Sequence, residues 1–122
     1  MPAQADAYPR FKIYQGTTLL GWSALESNDP PMGVAWGQFI AAPAYAALQE
    51  QVRALTGAAD QSSLQLQVYH LDQPVPAMGV SLQDYSAECG AEAIEISVLG
   101  IGYPLYEQLF PHAVAAYLKA PG

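Results

Sequence analysis

The sequence predicts an α+β fold: a mainly antiparallel sheet of five to six strands, with two helices packed on one face. Three observations lead to this prediction. Apolar and polar side chains alternate along residues 94–98, as in a pleated strand with one buried face. Tyr45, Leu48, Val52 and Leu55 fall on one stripe of an amphipathic helix. Short turns rich in glycine and proline separate the strands, and such turns connect antiparallel neighbours.

The first half of the chain predicts three strands and a helix. Strands at 11–14 and 18–24 form a hairpin, and a third strand covers 34–40. Pro30 and Pro31 stop the segment between the second and third strands from forming a helix or a central strand. The two glycines on either side of Trp36 allow a bulge or a close backbone approach.

The second half predicts the same order again. The first helix runs from Pro43 to a left-handed cap at Gly57. A strand at 63–70 follows, then a run at 80–89, and then a central strand within residues 91–102. The last helix begins after 102 and is kinked or divided at Pro111, because proline lacks the N–H that the helix needs there. The element order is therefore βββαβββα.

The stretch 91–102 gives the clearest strand signal, and the run 80–89 is predicted to pair with it through a tight turn at Gly90. This register sets Tyr85 opposite Ile96. It also places Asp84 and Glu95 on one face, away from the apolar face of the central strand.

Length and composition predict one folded domain. The 122 residues divide into a loose N-terminal arm at 1–9 and a single α+β domain at 10–122. Hydrophobic residues make up 52% and charged residues only 12%, so few charges are left to cover the surface. Part of the apolar excess is expected in an interface, which favours a homodimer.

The charge balance excludes some partners and favours others. Four basic and eleven acidic residues give a net charge of −7, too negative to bind nucleic acid or an anionic membrane. A basic protein or a cationic small molecule would be attracted instead. The first residues lack the pattern of a signal peptide, and no apolar run reaches the length of a membrane helix. We therefore expect a cytoplasmic protein of bacterial type.

The residues predict neither a cofactor nor a metal site. The single cysteine, Cys89, excludes a cysteine-based zinc cluster, and His70 and His112 lie far apart in the chain. Gly100 and Gly102 form only half of a dinucleotide-binding fingerprint. No catalytic constellation is visible, so an enzyme is disfavoured, although His112 beside a carboxylate in one cleft would revive that hypothesis.

Aromatic residues around the double proline suggest a ligand pocket. Proline-stiffened loops that carry glycine and tryptophan often build binding sites. The predicted lining consists of Met32, Trp36, Phe39, Trp22 and Tyr103. The alternative is that these side chains belong to the core and to an interface.

Three carboxylates near the last hairpin suggest an acidic patch, formed by Asp84, Glu88 and Glu95. If the final helix or a partner subunit covers these residues, they form an acidic binding patch; left in water, they only increase solubility.

Two function hypotheses follow. The first is a small acidic, non-enzymatic protein-interaction domain, similar in charge and size to immunity or inhibitor proteins that bind a basic partner. The alternative is a small-molecule-binding module whose aromatic pocket accepts an apolar or cationic ligand.

Overall fold

The computed structural model describes residues 9–119 and confirms the α+β class, with two antiparallel sheets instead of one. The first sheet has the strand order β5-β2-β1-β6-β7, and the second has the order β3-β4-β9-β8. The strands are β1 Phe11–Gln15, β2 Thr18–Ser23, β3 Ser27–Asp29, β4 Val34–Gln38, β5 Ile40–Ala41, β6 Leu66–His70, β7 Gln73–Pro74, β8 Gly79–Asp84 and β9 Ile94–Leu99.

Four short α-helices accompany the sheets. They are α1 Gln49–Leu55, α2 Ser86–Cys89, α3 Leu105–Leu109 and α4 Pro111–Lys119. Single 3-10 turns lie at Pro30–Met32, Pro43–Ala47 and Ser62–Leu64.

The chain passes from the first sheet to the second directly after β2, so the predicted element order βββαβββα does not hold in full. Leu25 has a positive φ of 44°, and its N–H donates to Ser23 Oγ at 3.0 Å. This bend directs β3 away from β2 and into a pair with β4. Alternation along a strand identifies its buried face but not its partner, and for that reason the sequence suggested a single sheet.

The predicted register of the last hairpin is wrong. In the structure β8 pairs with β9 so that Leu82 lies opposite Ile96 and Asp84 opposite Ile94. The strand ends at Asp84 because the next residues close a helical turn, in which the Cys89 N–H donates to the Tyr85 carbonyl at 2.9 Å. Asp84 consequently faces the core instead of sharing a solvated face with Glu95.

Other predicted elements are confirmed. The first hairpin forms between β1 and β2. The helix predicted from Pro43 is present as the 3-10 turn at Pro43–Ala47 followed by α1, and Gly57 has the expected positive φ, 87°. The last helix divides at Phe110–Pro111 into α3 and α4. The central strand β9 pairs on both sides, with β4 and with β8.

One hydrophobic core joins the two sheets to the helices. It includes Phe11 and Ile13 from the first sheet, Ile96 and Val98 from the second, and Val52 from α1, all of them fully buried. The predicted arm falls mostly on residues 1–8, which lie outside the described part of the chain. Between residues 9 and 119, no helix has the length and apolarity that crossing a bilayer demands.

Side chains occupy the outward hydrogen-bonding groups of Leu82 and the N–H of Asp84 on β8, which is an edge strand. Gln61 is buried, and its amide accepts the Leu82 N–H at 2.8 Å and donates to the Leu82 carbonyl at 2.9 Å. Thr56 Oγ1 accepts the Asp84 N–H at 2.9 Å. One amide and one hydroxyl thus replace a neighbouring strand along this part of the edge.

A glycine substitution tests the packing between β2 and the core. A Cβ on Gly21 would collide with the Ile40 carbonyl oxygen and approach the Phe39 ring to 2.5 Å. Because a strand backbone and a core ring both resist movement, Gly21→Ala should lower the free energy of unfolding by about 1–3 kcal/mol. Urea denaturation measures this difference.

Gly79→Ala is the matched control within another strand. There the nearest atom to a new Cβ is Leu99 Cδ1 at 3.9 Å, an ordinary contact. This variant should keep or slightly raise the wild-type stability. Equal losses for the two variants would contradict the close approach at Gly21.

Candidate functional site

An open groove on the outer side of the second sheet brings aromatic and acidic side chains together. Its volume is about 400 Å³. We call it the Trp36 groove, and the side chains most relevant to its chemistry are Glu26, Trp36, Tyr85, Cys89, Glu92 and Glu95. Of the residues that line it in the described part of the chain, none is a lysine or an arginine.

Strand register places the tryptophan and one acid on the same face. Trp36 lies opposite Ser97, and Gln38 lies opposite Glu95. Since Trp36 and Gln38 are two residues apart, Trp36 and Glu95 both point away from the core. Trp36 is partly buried, and Glu95 is exposed.

Glu26 is held against the sheet by a backbone hydrogen bond. Its Oε2 accepts the N–H of Gln38 at 2.8 Å, and its carboxylate packs against Gly37, where a Cβ would collide with it. The close backbone approach predicted beside Trp36 is therefore confirmed at Gly37. Any side chain there would displace Glu26 from the groove.

The opposite wall of the groove comes from the segment 85–93, which is tied to a buried carboxylate. Asp84 Oδ1 accepts hydrogen bonds from the Ser86 N–H at 2.8 Å and from the Ser86 hydroxyl. Asp84 Oδ2 accepts hydrogen bonds from the Tyr45 hydroxyl at 2.6 Å and from Gln49 at 3.2 Å. These contacts fix the start of α2, and thereby the position of Tyr85 on the groove.

Arg53 on α1 is the cation nearest to this carboxylate. Its Nε lies 3.7 Å from Asp84 Oδ1, and its Nη2 donates to Ser86 Oγ at 3.0 Å. The Nε atom is buried and has no hydrogen-bond partner among residues 9–119. The pair is thus held by charge and by Ser86, without a direct hydrogen bond between guanidinium and carboxylate.

Asp84 and the side chains around it form what we call the Asp84 cluster, which also contains Tyr45, Gln49, Arg53 and Ser86. The protonation of its members follows from these contacts. Burial alone would raise the Asp84 pKa, but hydrogen bonds from Ser86, Tyr45 and Gln49 outweigh it and lower the pKa to about 2. Burial, and then the hydrogen bond to Asp84, raise the pKa of Tyr45. With a pKa that low, Asp84 stays ionised at neutral pH and is a poor general base for Ser86.

A second concavity adjoins the Trp36 groove. Its volume is about 750 Å³, and the two share Gln38, Glu92 and Ile94 in their linings. Its wall includes Tyr45 and Ser86, so the Asp84 cluster lies directly behind it. A ligand longer than the groove has space to continue in this direction.

The structure separates the five residues predicted to line an aromatic pocket. Trp36 lies in the groove, while Phe39 is buried in the core, where its ring meets Tyr45 edge-on at 5.1 Å. Met32 is 67% exposed and borders a different concavity, on the side of β8. Trp22 is on the first sheet, and the hydroxyl of Tyr103 donates to the Pro30 carbonyl at 2.9 Å.

The predicted acidic patch is also divided. Asp84 is buried beneath α1, whereas Glu95 points into the Trp36 groove and Glu88 is exposed on α2. The structure instead groups Glu95 with Glu26 and Glu92, two acids that the sequence pattern did not single out. Gly37 was the available signal for Glu26, since a glycine inside a strand marks a close neighbour.

The two histidines lie in different places. His112 lines a small cavity of about 30 Å³ together with Glu26, which also borders the Trp36 groove. That cavity is far below the size of a small-molecule site, so it does not supply the cleft that an enzyme would need. His70 is near Arg10, with 3.2 Å between His70 Nε2 and Arg10 Nη1, and its ring packs on Phe11. Burial, followed by the charge of Arg10, lowers the His70 pKa. Between residues 9 and 119, no three His, Cys, Asp or Glu side chains are grouped so as to hold a metal ion.

Comparison with protein-family models, with curated proteins and with solved structures finds no match for this chain.

The Asp84 cluster predicts a specific pH dependence of stability. The folded pKa of about 2 lies below the ordinary value of 3.8, so ionised Asp84 stabilises the fold. This contribution, about 2 kcal/mol, is complete above roughly pH 4 and is lost as the pH falls towards 2. Urea denaturation between about pH 7 and about pH 2.5 measures the loss.

Asp84→Asn should remove most of this dependence, so that wild type and variant converge in stability near about pH 2. Glu88→Gln, which changes an exposed carboxylate on the next turn, is the control and should keep the wild-type slope. If Asp84→Asn and wild type lose stability in parallel, the buried carboxylate is not the titrating group.

Proposed function

We propose that this chain is a non-enzymatic interaction domain, which binds a basic protein partner by accepting a cationic side chain in the Trp36 groove. The observation that carries the proposal is the meeting of Trp36 with Glu26, Glu92 and Glu95 in a groove without a cation of its own. An aromatic face attracts a lysine or arginine side chain, and the carboxylates complete the charge balance.

Each part of the groove supplies a different contribution to binding. Glu26 is already held in place by the Gln38 N–H, so ordering it on binding costs little. Glu92 and Glu95 are exposed, so they contribute mainly to attraction at a distance and to orientation. Tyr85, 52% exposed, adds a second aromatic wall.

The whole molecule favours the same class of partner. A net charge of −7 steers cationic surfaces towards the protein and repels nucleic acid and other acidic molecules. The association rate should therefore fall with rising salt concentration. The exposed, free thiol of Cys89 suits the reducing conditions of the cytoplasm, the location we also propose.

A small cationic molecule is the second candidate ligand, and the size of the groove favours it. Its volume of about 400 Å³ lies within the range that small-molecule sites occupy. Quaternary ammonium groups are recognised by aromatic walls in the same way as a lysine side chain. Choline is therefore a suitable probe for this alternative.

A pair of charge variants tests whether the groove binds cations. The probe is a short lysine- and arginine-rich peptide, measured by isothermal titration calorimetry. Glu92→Gln combined with Glu95→Gln should weaken binding about tenfold, because two charges facing the ligand are lost. Glu50→Gln combined with Glu107→Gln removes the same net charge from α1 and α3, and should change affinity less than about twofold. Equal weakening by both pairs would mean non-specific attraction to an acidic protein, and would exclude the groove.

The tryptophan gives a separate test. Trp36→Leu keeps an apolar side chain but removes the aromatic face, so it should weaken peptide binding about fivefold while the fold persists. Trp22→Leu, on the other sheet, should leave peptide affinity unchanged. Tight binding of choline together with weak binding of the peptide would favour the small-molecule alternative. Wild-type affinity in Trp36→Leu would contradict both.

A further inference from the structure

The outer face of the first sheet carries an apolar row that crosses every strand. Strand register aligns Ile40, Trp22, Lys12, Tyr69 and Pro74 side by side on β5, β2, β1, β6 and β7. Their neighbours along the strands point to the buried side, as shown by Phe11, Ile13 and Val68. Lys12 is thus the single charge within this otherwise apolar row.

A shallow concavity beside the row contains a charge of the opposite sign. Its volume is about 270 Å³, and its lining includes Lys12, Tyr14, Tyr69 and Asp72. The rings of Tyr14 and Tyr69 meet edge-on, with centroids 5.1 Å apart. Within residues 9–119, neither Lys12 nor Asp72 forms an ion pair.

The turn between β6 and β7 displays an apolar side chain at a conformational cost. Leu71 and Asp72 both have positive φ values, 50° and 65°, as the two-residue loop of this hairpin requires. A leucine is unfavourable in that conformation, where asparagine or glycine is usual. Leu71 is nonetheless 77% exposed, next to Asp72 in the same turn. A strained, exposed leucine suggests a contact outside the chain.

We propose that this face packs against the same face of a second copy of the chain across a two-fold axis, with Lys12 of each copy facing Asp72 of the other. A two-fold contact is self-complementary: whatever residue i meets on its partner, the partner's residue i meets in return. One positive and one negative charge on the face therefore form two ion pairs in the dimer. Trp22, Tyr14 and Tyr69 on this face are partly buried, and tryptophan and tyrosine are among the residues enriched at protein interfaces.

Charge also separates this face from the Trp36 groove. Lys12 would repel a basic partner of the kind proposed for the groove, while a second copy brings its own Asp72. The two surfaces belong to different sheets, so the dimer proposal does not rest on the proposed function.

Charge reversal tests this geometry. Light scattering over a concentration series should show twice the monomer mass for the wild type. In a dimer of Lys12→Glu, the new glutamate of each copy would face Asp72 of the other, and in a dimer of Asp72→Lys the new lysine of each copy would face Lys12 of the other. Like charges then meet twice in either dimer, so each substitution should weaken the dimer at least about tenfold. The doubly substituted chain should return to within about threefold of the wild-type dissociation constant.

Mixing the two single variants distinguishes a contact between copies from one within a chain. In a mixed dimer, the new glutamate of one copy faces the new lysine of the other, and the unchanged Asp72 of the first faces the unchanged Lys12 of the second. Both ion pairs are restored, so a heterodimer should form. Two variants that each remain monomeric and also fail to combine would overturn the proposal. A wild type that stays monomeric at about 100 μM, or a dimer unaffected by both reversals, would overturn it as well.

Leu71→Asn separates an interface role from a structural one. In the monomeric Lys12→Glu background it should raise the melting temperature, because asparagine tolerates a positive φ. In the wild-type background it should weaken the dimer several-fold, because the exposed apolar contact is lost. Unchanged dimer affinity would remove Leu71 from the interface and contradict the proposed contact.

Discussion

The buried carboxylate of Asp84 is the constraint on which much of the structure depends. It ends β8, receives the hydroxyl of Tyr45 from the 3-10 turn before α1, and fixes Ser86 at the start of α2. A buried charge is tolerated only when its oxygens are fully satisfied, so all of these elements must meet at one point. The register of β8 against β9 follows from the same requirement, since a slip by one residue would turn Asp84 out and Gln83 in.

The two surfaces proposed for binding lie on the outer faces of the two sheets. On the second sheet, partly buried Trp36 shares its face with Glu95, and Gly37 allows Glu26 to approach from the neighbouring segment. On the first sheet, apolar side chains surround Lys12. The inner faces supply the common core, so each outer face can differ in chemistry without disturbing the other. A chain with few charges thereby presents one acidic and one amphipathic surface.

Much of the fold could be predicted because its signals are local. The stripe from Tyr45 to Val52, the division at Pro111 and the alternation of β9 depend on neighbours a few residues away. The division into two sheets depends on a positive φ at Leu25, which nothing in a leucine predicts. Asp84 was misplaced because its partners Tyr45 and Gln49 are distant in sequence, and an aspartate alone suggests exposure. Trp36 was predicted as a site residue from the prolines and glycines near it in the sequence. Glu26 becomes its neighbour only through the pairing of β3 with β4.

The amide of Gln61 has a consequence for how the edge of β8 can meet another chain. Where Leu82 and Asp84 would offer hydrogen bonds to a foreign strand, the chain's own side chains already occupy them. Main-chain pairing accepts almost any sequence, so an open edge invites indiscriminate polymerisation, and this part of the edge is closed to it. Along this stretch a second chain could bind only through side chains, each of which can change without breaking the hydrogen bonds that cover the strand.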